Sequence, residues 1–300
     1  MLKIAWSSIY NHPLPLGHRF PMEKYDLLPR QLLYEGTITE QNIFEPRRLT
    51  ESEIVSVHKP KYWAKLQKID FTRQEERRSG FPITEQLVNR EITINAGTIQ
   101  CAEYALQYGM AMNIAGGTHH AFSDRAEGFC LLNDIAIASK YLLDHQKAKQ
   151  ILVVDLDVHQ GNGTAEIFKN ESRVFTFSVH GERNYPLQKE QSDLDIALKD
   201  GTEDKTYLST LDKNLNLLLD KVEPDFIFFQ SGVDVLETDK LGRLSLTIEG
   251  CKQRDQIVIE AAKKNDLPIV ASMGGGYSKD IKHILEAHAN TYRVAQTTFF

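Results

Sequence analysis

Five short apolar runs, each rich in β-branched or aromatic residues, constrain the fold of this chain more than any other feature of its sequence. Runs of this length and composition are typical of strands buried on both faces of a sheet. They lie at Met110–Ala115, Ile151–Leu156, Val174–Val179, Phe226–Phe229 and Pro268–Ser272. The N-terminal segment Met1–Trp6 is also strand-like. We therefore expect a sheet built largely from buried strands.

Helical patterns lie between these runs. A helix that ends at Gly109 is predicted by apolar residues near one helical face, namely Ile92, Ala96, Ile99 and Leu106. A second helix is predicted by the same kind of repeat at Tyr207, Leu211, Leu215, Leu218 and Leu219. Thr247 is a predicted N-cap of a third helix. Strands that alternate with helices predict an α/β fold of three layers, in which helices cover both faces of a central, mostly parallel sheet.

Length and composition limit the possible functions. The 300 residues, 41% of them hydrophobic, can bury one large core, and we expect residues 1–300 to form a single domain. The net charge of −6 offers no basic excess for a phosphate backbone, so direct binding to nucleic acid is not expected. No cleavable apolar segment or membrane-length apolar run is present, which predicts a cytoplasmic protein without membrane association.

The cysteines and one polar segment carry weaker signals. The three cysteines, Cys101, Cys130 and Cys251, have no spacing typical of a disulfide framework or a thiolate metal site. The most polar stretch is Thr72–Ser79, which we interpret as a solvated loop. The alternative is that this stretch borders the entrance of a functional site.

Two histidines follow the first of the central apolar runs. Gly116 and Gly117 permit a sharp turn of the chain and are followed by Thr118, His119 and His120. Paired histidines can divide acid and base catalysis between them. Two histidines that are hydrogen-bonded in a surface turn would give the same pattern, so this motif alone is not decisive.

The next run ends in three potential metal ligands, Asp155, Asp157 and His159. Alternate side chains of an extended segment share a face, so all three are expected to project the same way. Burial of these groups without a cation is costly, and a mixed set of oxygen and nitrogen atoms suits zinc or a similar divalent transition metal. Taken alone, the spacing could also be structural or accidental.

Two more strand ends complete the pattern. Asp234 follows the fourth run, and the glycines Gly274–Gly276 followed by Tyr277 come after the fifth. Taken singly, the aspartate could cap a helix and the glycines could form a flexible loop. In a parallel sheet, however, all these groups meet at one edge, where ligands bind. Asp157, His159 and Asp234 would then make a three-ligand zinc site with an open position for water, as in catalytic zinc centres.

Five motifs, in this order, resemble those of the histone deacetylases. They are Gly116–Ala121 (GGTHHA), Gly128–Asp134 (GFCLLND), Asp155–Gly163 (DLDVHQGNG), Ser178–His180 (SVH) and Gly274–Tyr277 (GGGY). The resemblance runs from about Tyr10 to Tyr277, and Glu237–Leu246 together with Gln160–Gly163 is most similar to the class IV branch and its bacterial relatives. It implies the arginase–deacetylase fold and a zinc-dependent deacylase that acts on acylated lysine.

The resemblance also implies roles for individual residues. The zinc ligands would be Asp157, His159 and Asp234. The catalytic residues would be His119 and His120 as the proton-handling pair, Asp155 and Asn162 as their partners, and Tyr277 as the carbonyl polariser. A structural potassium ion would be held by side-chain and carbonyl oxygens of Asp155, Asp157, His159, Ser178 and Val179. The substrate tunnel would be lined by Gly128, Phe129, Tyr185 and Gly275.

Position 162 departs from the commonest family pattern, in which an aspartate is the partner of the second histidine. Asn162 can still orient His120 but brings no charge. Members similar to class IV share this departure, so it bears on the proton balance of the site rather than on the activity itself.

Three alternative functions remain open. A ureohydrolase of the arginase type shares the fold but binds two manganese ions and typically needs an aspartate at position 161, where this chain has Gly161. A non-catalytic protein that binds acyl-lysine is an alternative of another class. Within the enzyme interpretation, the substrate could be acyl-lysine in a protein or peptide, an acetylpolyamine or another small acyl amide.

Overall fold

A single parallel sheet of eight strands forms the centre of the molecule, as described by a computed structural model that covers residues 1–300. The strand order across the sheet is β2-β1-β3-β8-β7-β4-β5-β6. The strands are β1 (Lys3–Ala5), β2 (Ile43–Phe44), β3 (Met110–Asn113), β4 (Ile151–Asp155), β5 (Val174–Gly181), β6 (Leu194–Leu198), β7 (Phe226–Gln230) and β8 (Ile269–Ser272). Every residue of β3, β4, β7 and β8 is buried, so helices and loops cover both faces of the sheet there.

Ten α-helices surround the sheet. They are α1 (Lys24–Tyr34), α2 (Glu51–Val55), α3 (Pro60–Lys68), α4 (Arg73–Ser79), α5 (Glu85–Tyr108), α6 (Asp134–Asp144), α7 (Asn162–Phe168), α8 (Asp204–Val222), α9 (Ile248–Lys264) and α10 (Ile281–Phe299). Two short 3₁₀ helices span Ser8–Tyr10 and Glu40–Asn42. One hydrophobic cluster of 81 buried residues joins these helices to the sheet, which gives the chain a single core. None of the helices combines the length and the apolar character needed to cross a membrane.

The predicted α/β fold is confirmed, and all five apolar runs are strands of the sheet. The observed strands differ from the runs by one or two residues at some ends, as at β3, which stops at Asn113. The edge strands β2 and β6 were not predicted. Their residues are mostly half-buried, so neither segment carries a continuous apolar run that sequence patterning could detect.

The three predicted helices are present, with caps near the expected positions. Gly109 ends α5 with a φ of 88°, a left-handed conformation that favours glycine, and the Thr247 side chain accepts a hydrogen bond from Gly250 N at the start of α9. Leu106, which was assigned to the apolar face of α5, is instead 41% exposed. It lies in the last turn, where the helix reaches the protein surface beside the exposed Tyr108.

The prediction of a solvated loop at Thr72–Ser79 is wrong, because Arg73–Ser79 forms helix α4. Thr72 and Glu75 make a capping box, in which each side chain pairs with the backbone N–H of the other residue. Acidic residues in the first turn and basic residues in the last turn also favour the helix dipole. These local interactions stabilise a short helix that carries little apolar surface.

The register of the central strands aligns their carboxyl ends. Asn113 of β3 pairs with Ser272 of β8, Ser272 pairs with Gln230 of β7, and Gln230 pairs with Asp155 of β4. Asp155 is in turn opposite Ser178 of β5. The loops that follow these strands therefore start from one straight row, which brings widely separated motifs to the same edge of the sheet.

Leu215 and Leu217 provide a matched test of the core assignment, because both lie on α8 but only Leu215 is buried. We expect Leu215→Ala to lower the free energy of unfolding by about 2–5 kcal/mol, the usual cost of a cavity in a packed core. Leu217→Ala, at a position that is 57% exposed, should change it by less than about 0.5 kcal/mol. Urea unfolding measures both values, and equal effects would contradict the packing described above.

Candidate active site

Three buried side chains converge beyond the ends of β4 and β7. His159 Nδ1 lies 3.0 Å from Asp157 Oδ1 and 3.1 Å from Asp234 Oδ2. One potential ligand atom from each residue lies within 4.8 Å of the others, and this is the one such group in the chain. These three residues are the metal-binding set predicted from the sequence, and the structure brings them together.

Backbone groups hold the two carboxylates of this triad in place. Val158 N donates to Asp234 Oδ1, and Gly275 N donates to Asp157 Oδ2, both at 2.9 Å. A Cβ atom at Gly275 would lie 2.0 Å from Asp234 Oδ2, so only glycine permits this close approach. The buried Arg254 donates hydrogen bonds to the carbonyl oxygens of Leu156, Ser231 and Gly232. It thereby ties the loop after β4 to the loop after β7.

The triad is electrostatically unbalanced. Burial opposes a charge on His159, but Asp157 and Asp234 outweigh burial and raise its pKa to about 10. Burial and the neighbouring charge of Asp157 raise the pKa of Asp234 to about 7. The two buried carboxylates of Asp157 and Asp234 both contact the imidazole of His159, and a divalent cation would compensate both charges.

The geometry of the triad suits a small divalent metal ion. Ligand atoms around a tetrahedral zinc ion, at about 2.0–2.1 Å from the metal, lie roughly 3.3 Å from one another. The two distances from His159 Nδ1 to the carboxylate oxygens are close to that value. With two oxygen atoms and one nitrogen atom, the set matches the donors that zinc and related metals accept.

His119 and His120 lie beside the triad, with ring centres 4.1 Å apart. His119 Nδ1 is 2.7 Å from Asp155 Oδ2, and His120 Nδ1 is 2.6 Å from Asn162 Oδ1. Burial opposes a charge on His119, but Asp155 and Asp157 outweigh it and raise the pKa of His119 to about 9. Burial lowers the pKa of His120, and the neighbouring His119 lowers it further. The pair thus consists of a charged and a neutral imidazole.

Glu127 completes the surroundings of His120 and was not predicted from the sequence. Asn162 Nδ2 donates to Glu127 Oε1 at 3.1 Å, and the Tyr185 hydroxyl donates to the same oxygen. A carboxylate only accepts hydrogen bonds, so it holds the amide of Asn162 with its oxygen toward His120. Glu127 directly precedes the motif Gly128–Asp134. Its role depends on contacts with residues far along the chain, which no local pattern reveals.

Tyr277 faces the triad from the glycine-rich loop after β8. Its ring centre lies 6.5 Å from that of His159, and Asp239 accepts a hydrogen bond from Tyr277 N at 2.6 Å. Burial raises the pKa of the Tyr277 hydroxyl well above its usual value, and the charges of Asp234 and Asp157 add to this effect. The hydroxyl therefore remains protonated and can donate a hydrogen bond. Lys24, which is fully buried, supports the same loop by donating to Gly274 O.

The predicted tunnel residues line two connected pockets. Gly128, Phe129 and Gly275 contribute to the inner pocket together with the histidine pair and Tyr277. Phe129 and Tyr185 also line an outer cavity of about 490 Å³, which includes His120 and His159. The ring centre of Tyr185 lies 5.0 Å from that of His120. The two pockets share His120, Phe129 and Tyr277 as lining residues, so the outer cavity adjoins the inner site.

The remaining predicted residues, Ser178 and Val179, are buried in β5. Ser178 is opposite Asp155 in the sheet, so the five residues predicted to hold potassium lie in two adjacent segments. The Ser178 hydroxyl pairs with His180 Nδ1 at 2.9 Å. These contacts bring the five residues together, and potassium binding stays a prediction.

Asp134, the last residue of the motif Gly128–Asp134, supports the loop that carries the two histidines. Asp134 Oδ1 accepts hydrogen bonds from the backbone N–H and the hydroxyl of Thr118. Asp134 Oδ2 accepts from the hydroxyls of Thr98 and Ser272. This fully buried carboxylate therefore joins the histidine loop to α5 and β8.

Comparisons with known proteins show which family this chain resembles. A family model described as the histone deacetylase domain matches residues 18–292. The chain is 41% identical to an uncharacterized protein of Picosynechococcus, with 99% of each chain covered. It is 27% identical to histone deacetylase 2 of Arabidopsis thaliana, with 89% of this chain and 72% of that protein covered. The solved structure of an HDAC homologue complexed with SAHA has a TM-score of 0.85 and 25% identity, and the match covers 99% of this chain and 84% of that one.

Removal of the Asp134 carboxylate tests its structural role. Asp134→Ala should lower the free energy of unfolding by about 3 kcal/mol, because a buried N–H group and three hydroxyls lose a charged acceptor. Asp144→Ala, at the other end of α6, removes only an exposed ion pair with Lys140 and should cost less than about 0.5 kcal/mol. Urea unfolding of both variants checks the difference, and similar values would show that the Asp134 network contributes little.

Proposed function

Because this chain belongs to the histone deacetylase family, we propose that it is a zinc-dependent deacylase that hydrolyses the amide bond of acylated lysine side chains. The observation that carries the proposal is the convergence of a buried Asp-His-Asp triad with a histidine pair and a tyrosine at one edge of the sheet. Family membership supports a hydrolase of the deacetylase kind. The zinc ion and the acyl-lysine substrate are what the proposal adds.

Zinc would be held by Asp157, His159 and Asp234, whose two carboxylates balance the charge of the ion. When bound, it supplies a Lewis acid for the amide carbonyl and lowers the pKa of a water molecule to about 7. We further propose a structural potassium ion near Asp155 and Ser178, a class IV-like branch and a cytoplasmic location. The sequence motifs at Asp155–Gly163 and Glu237–Leu246 support the branch assignment.

His120 would act as the general base. Glu127 orients the Asn162 amide so that its oxygen accepts from His120 Nδ1–H, which leaves Nε2 as the unprotonated nitrogen. Since its pKa is lowered, His120 is neutral and ready to take a proton from water during attack on the amide. Either His120 passes this proton to the leaving amine, or the charged His119 donates its own proton there, and hydrolysis is completed without an acyl-enzyme.

Tyr277 would stabilise the negative charge that develops on the carbonyl oxygen. Its protonated hydroxyl is a preorganised hydrogen-bond donor in a buried site, where such a donor contributes most. Asp155 would keep His119 oriented and charged, so that the positive imidazole offsets the carboxylates around it. The inner and outer pockets would hold the acyl group and the lysine stem between Phe129 and Tyr185.

The alternatives are less compatible with the described contacts. A second metal ion of the arginase type would need a carboxylate at position 161. A Cβ atom at Gly161 would lie 2.3 Å from Asp155 Oδ2, so a side chain there would displace Asp155 from its contact with His119. A non-catalytic binding protein would not need the neutral base and the protonated tyrosine that lie beside the triad. Acetylpolyamines and other small acyl amides remain the second candidate class of substrate.

The proposal is tested with a panel of acyl-lysine peptides, from acetyl to long-chain acyl, together with acetylpolyamines. Turnover is measured for the zinc-loaded protein, and the chelator-treated protein serves as the matched control. We expect hydrolysis of at least one acyl-lysine peptide, competitive inhibition by a hydroxamate such as SAHA, and loss of activity without metal. If the zinc-loaded protein hydrolyses acetylpolyamines but none of the peptides, its substrates are small acyl amides rather than acyl-lysine. If no member of the panel is hydrolysed, the proposed deacylase activity is wrong.

One zinc ion per chain is expected by elemental analysis, since one triad is present. Asp157→Ala and Asp234→Ala should each lose zinc and activity together, because two ligands do not hold the ion. Asp212→Ala, which removes an exposed carboxylate on α8, should retain both. Two manganese ions in the active protein, or full zinc content in either ligand variant, would refute the assignment.

Tyr277→Phe should keep its zinc ion but lower kcat by on the order of 10²–10³, the usual effect of deleting one oxyanion donor. Tyr34→Phe, at an exposed tyrosine far from the site, is the control and should leave kcat unchanged. Steady-state kinetics under conditions where chemistry is slow give both values. A change of less than about threefold in kcat for Tyr277→Phe would exclude an oxyanion role.

A carboxylate in contact with His120 should change the pH below which kcat/KM falls, which is the acidic limb of the pH profile. A carboxylate in contact with His120 favours its charged form and raises its pKa. Below that pKa, His120 is already protonated and cannot accept a proton, so the acidic limb of kcat/KM should move to higher pH. Asn162→Asp alone would place two carboxylates 3.1 Å apart, so the substitution is combined with Glu127→Gln.

Glu127→Gln alone is the reference for this double variant, and zinc content is measured for both. Several interacting groups of the site titrate together and shape the acidic limb. The shift of the limb between the two variants is therefore the quantity that reports on His120. An unmoved limb, or a shift to lower pH with zinc content unchanged, would mean that His120 is not the base.

A further inference from the structure

Five arginines surround the outer cavity through which substrate would reach the site. They are Arg19, Arg77, Arg78, Arg183 and Arg243, and all five are exposed. No aspartate or glutamate lines this cavity, although the chain as a whole has a net charge of −6. The entrance therefore has the opposite charge to the protein. We refer to these five residues as the arginine rim.

Most of the charge on the arginine rim has no partner within the protein. Asp200 lies 3.2 Å from Arg243 Nη1 and 4.0 Å from Arg183 Nη1, so one carboxylate is shared by two guanidinium groups. Arg19, Arg77 and Arg78 make no ion pair, and the guanidinium of Arg19 lies 5.0 Å from the ring centre of Phe129. Five guanidinium groups and one carboxylate leave about four positive charges at the entrance.

Hydrogen bonds hold two segments that carry rim arginines beside the aromatic residues of the pocket. The carbonyl oxygens of Arg78 and Ser79, at the end of α4, accept hydrogen bonds from Gly128 N and Phe129 N. On the other segment, Arg183 is two residues from Tyr185, and Asn184 Nδ2 donates to Leu241 O at 2.7 Å. One group of arginines therefore adjoins Phe129, and the other adjoins Tyr185.

We propose that the arginine rim binds acidic residues on either side of the acylated lysine in a protein substrate. This inference rests on the proposed deacylase function and specifies its substrate. The planar guanidinium matches a carboxylate in bidentate geometry, and several such contacts would favour acidic segments and reject basic ones. Long nucleic acids are disfavoured because the positive charge is confined to the entrance of a protein whose net charge is negative.

The experiment compares three peptides that carry the acyl-lysine best hydrolysed in the panel. One has aspartate and glutamate on both sides, one has asparagine and glutamine at those positions, and one has lysine and arginine there. We expect kcat/KM for the acidic peptide to exceed that for the amide peptide by about tenfold at low ionic strength, with the basic peptide lowest. The preference should decrease as salt is added, since exposed charges are screened.

Two variants assign the preference to the arginine rim. In Arg77→Gln/Arg78→Gln, the ratio of kcat/KM for the acidic and amide peptides should fall to about twofold or less, because two of the unpaired charges are removed. Arg73→Gln is the matched control, since Arg73 is exposed on the same helix but does not line the cavity. This control should keep the full ratio. An equal ratio in both variants would exclude the arginine rim as the source of selectivity.

Failure of this inference is distinguishable from failure of the proposed function. Normal turnover of acyl-lysine without preference for acidic flanks would overturn the inference alone. Fluorescence anisotropy of the labelled acidic peptide measures binding independently of turnover, so selective binding without hydrolysis would support the arginine rim and contradict the enzyme. A short oligothymidylate is included as a competitor. If it binds the arginine rim more tightly than the acidic peptide does, the assignment to protein substrates is wrong.

Discussion

Buried negative charge at the carboxyl edge of the central strands is the constraint on which the rest of the structure depends. The carboxylates of Asp134, Asp155, Asp157 and Asp234 are almost fully buried there. Each would destabilise the fold without a compensating group, because a buried charge costs several kcal/mol (~3–5) when its partner is missing. Hydroxyl groups compensate Asp134, and His119 compensates Asp155. Asp157 and Asp234 share the imidazole of His159. His119 Nε2 adds only a longer contact of 3.8 Å to Asp157 Oδ1, so full compensation of the two carboxylates is left to a cation.

The two histidines have identical side chains, but the residue that each one contacts through Nδ1 gives it a different pKa. His119 contacts a carboxylate directly, and its pKa is raised to about 9. His120 contacts an amide, and its pKa is lowered by burial and by its charged neighbour. Asn162 carries no carboxylate, but the carboxylate of Glu127 accepts a hydrogen bond from its amide. Glu127 therefore orients the amide without touching His120, so it does not strongly stabilise an imidazolium. The departure at position 162 is thus accompanied by a specific local arrangement.

Charge is also arranged along the route from the surface to the triad. Two carboxylates belong to the buried triad, whereas the arginine rim surrounds the outer cavity. The aromatic side chains of Phe129 and Tyr185 lie between these two regions and contribute little charge. This order separates recognition at the surface, which is sensitive to salt, from the buried site, where electrostatic interactions are strong because water is excluded.

The amino-acid sequence by itself determined the α/β class, the central strands and the residues of the triad, because continuous apolar runs mark buried strands and parallel strands end at one edge. It could not identify β2 and β6, whose half-buried residues lack an apolar run, or helix α4, which local caps stabilise within a charged segment. Only the tertiary structure decided the roles of Glu127 and Asp134 and the grouping of five arginines from separate segments. Those properties arise from contacts between distant positions, and the energy of such a contact depends on burial and distance rather than on local residue order.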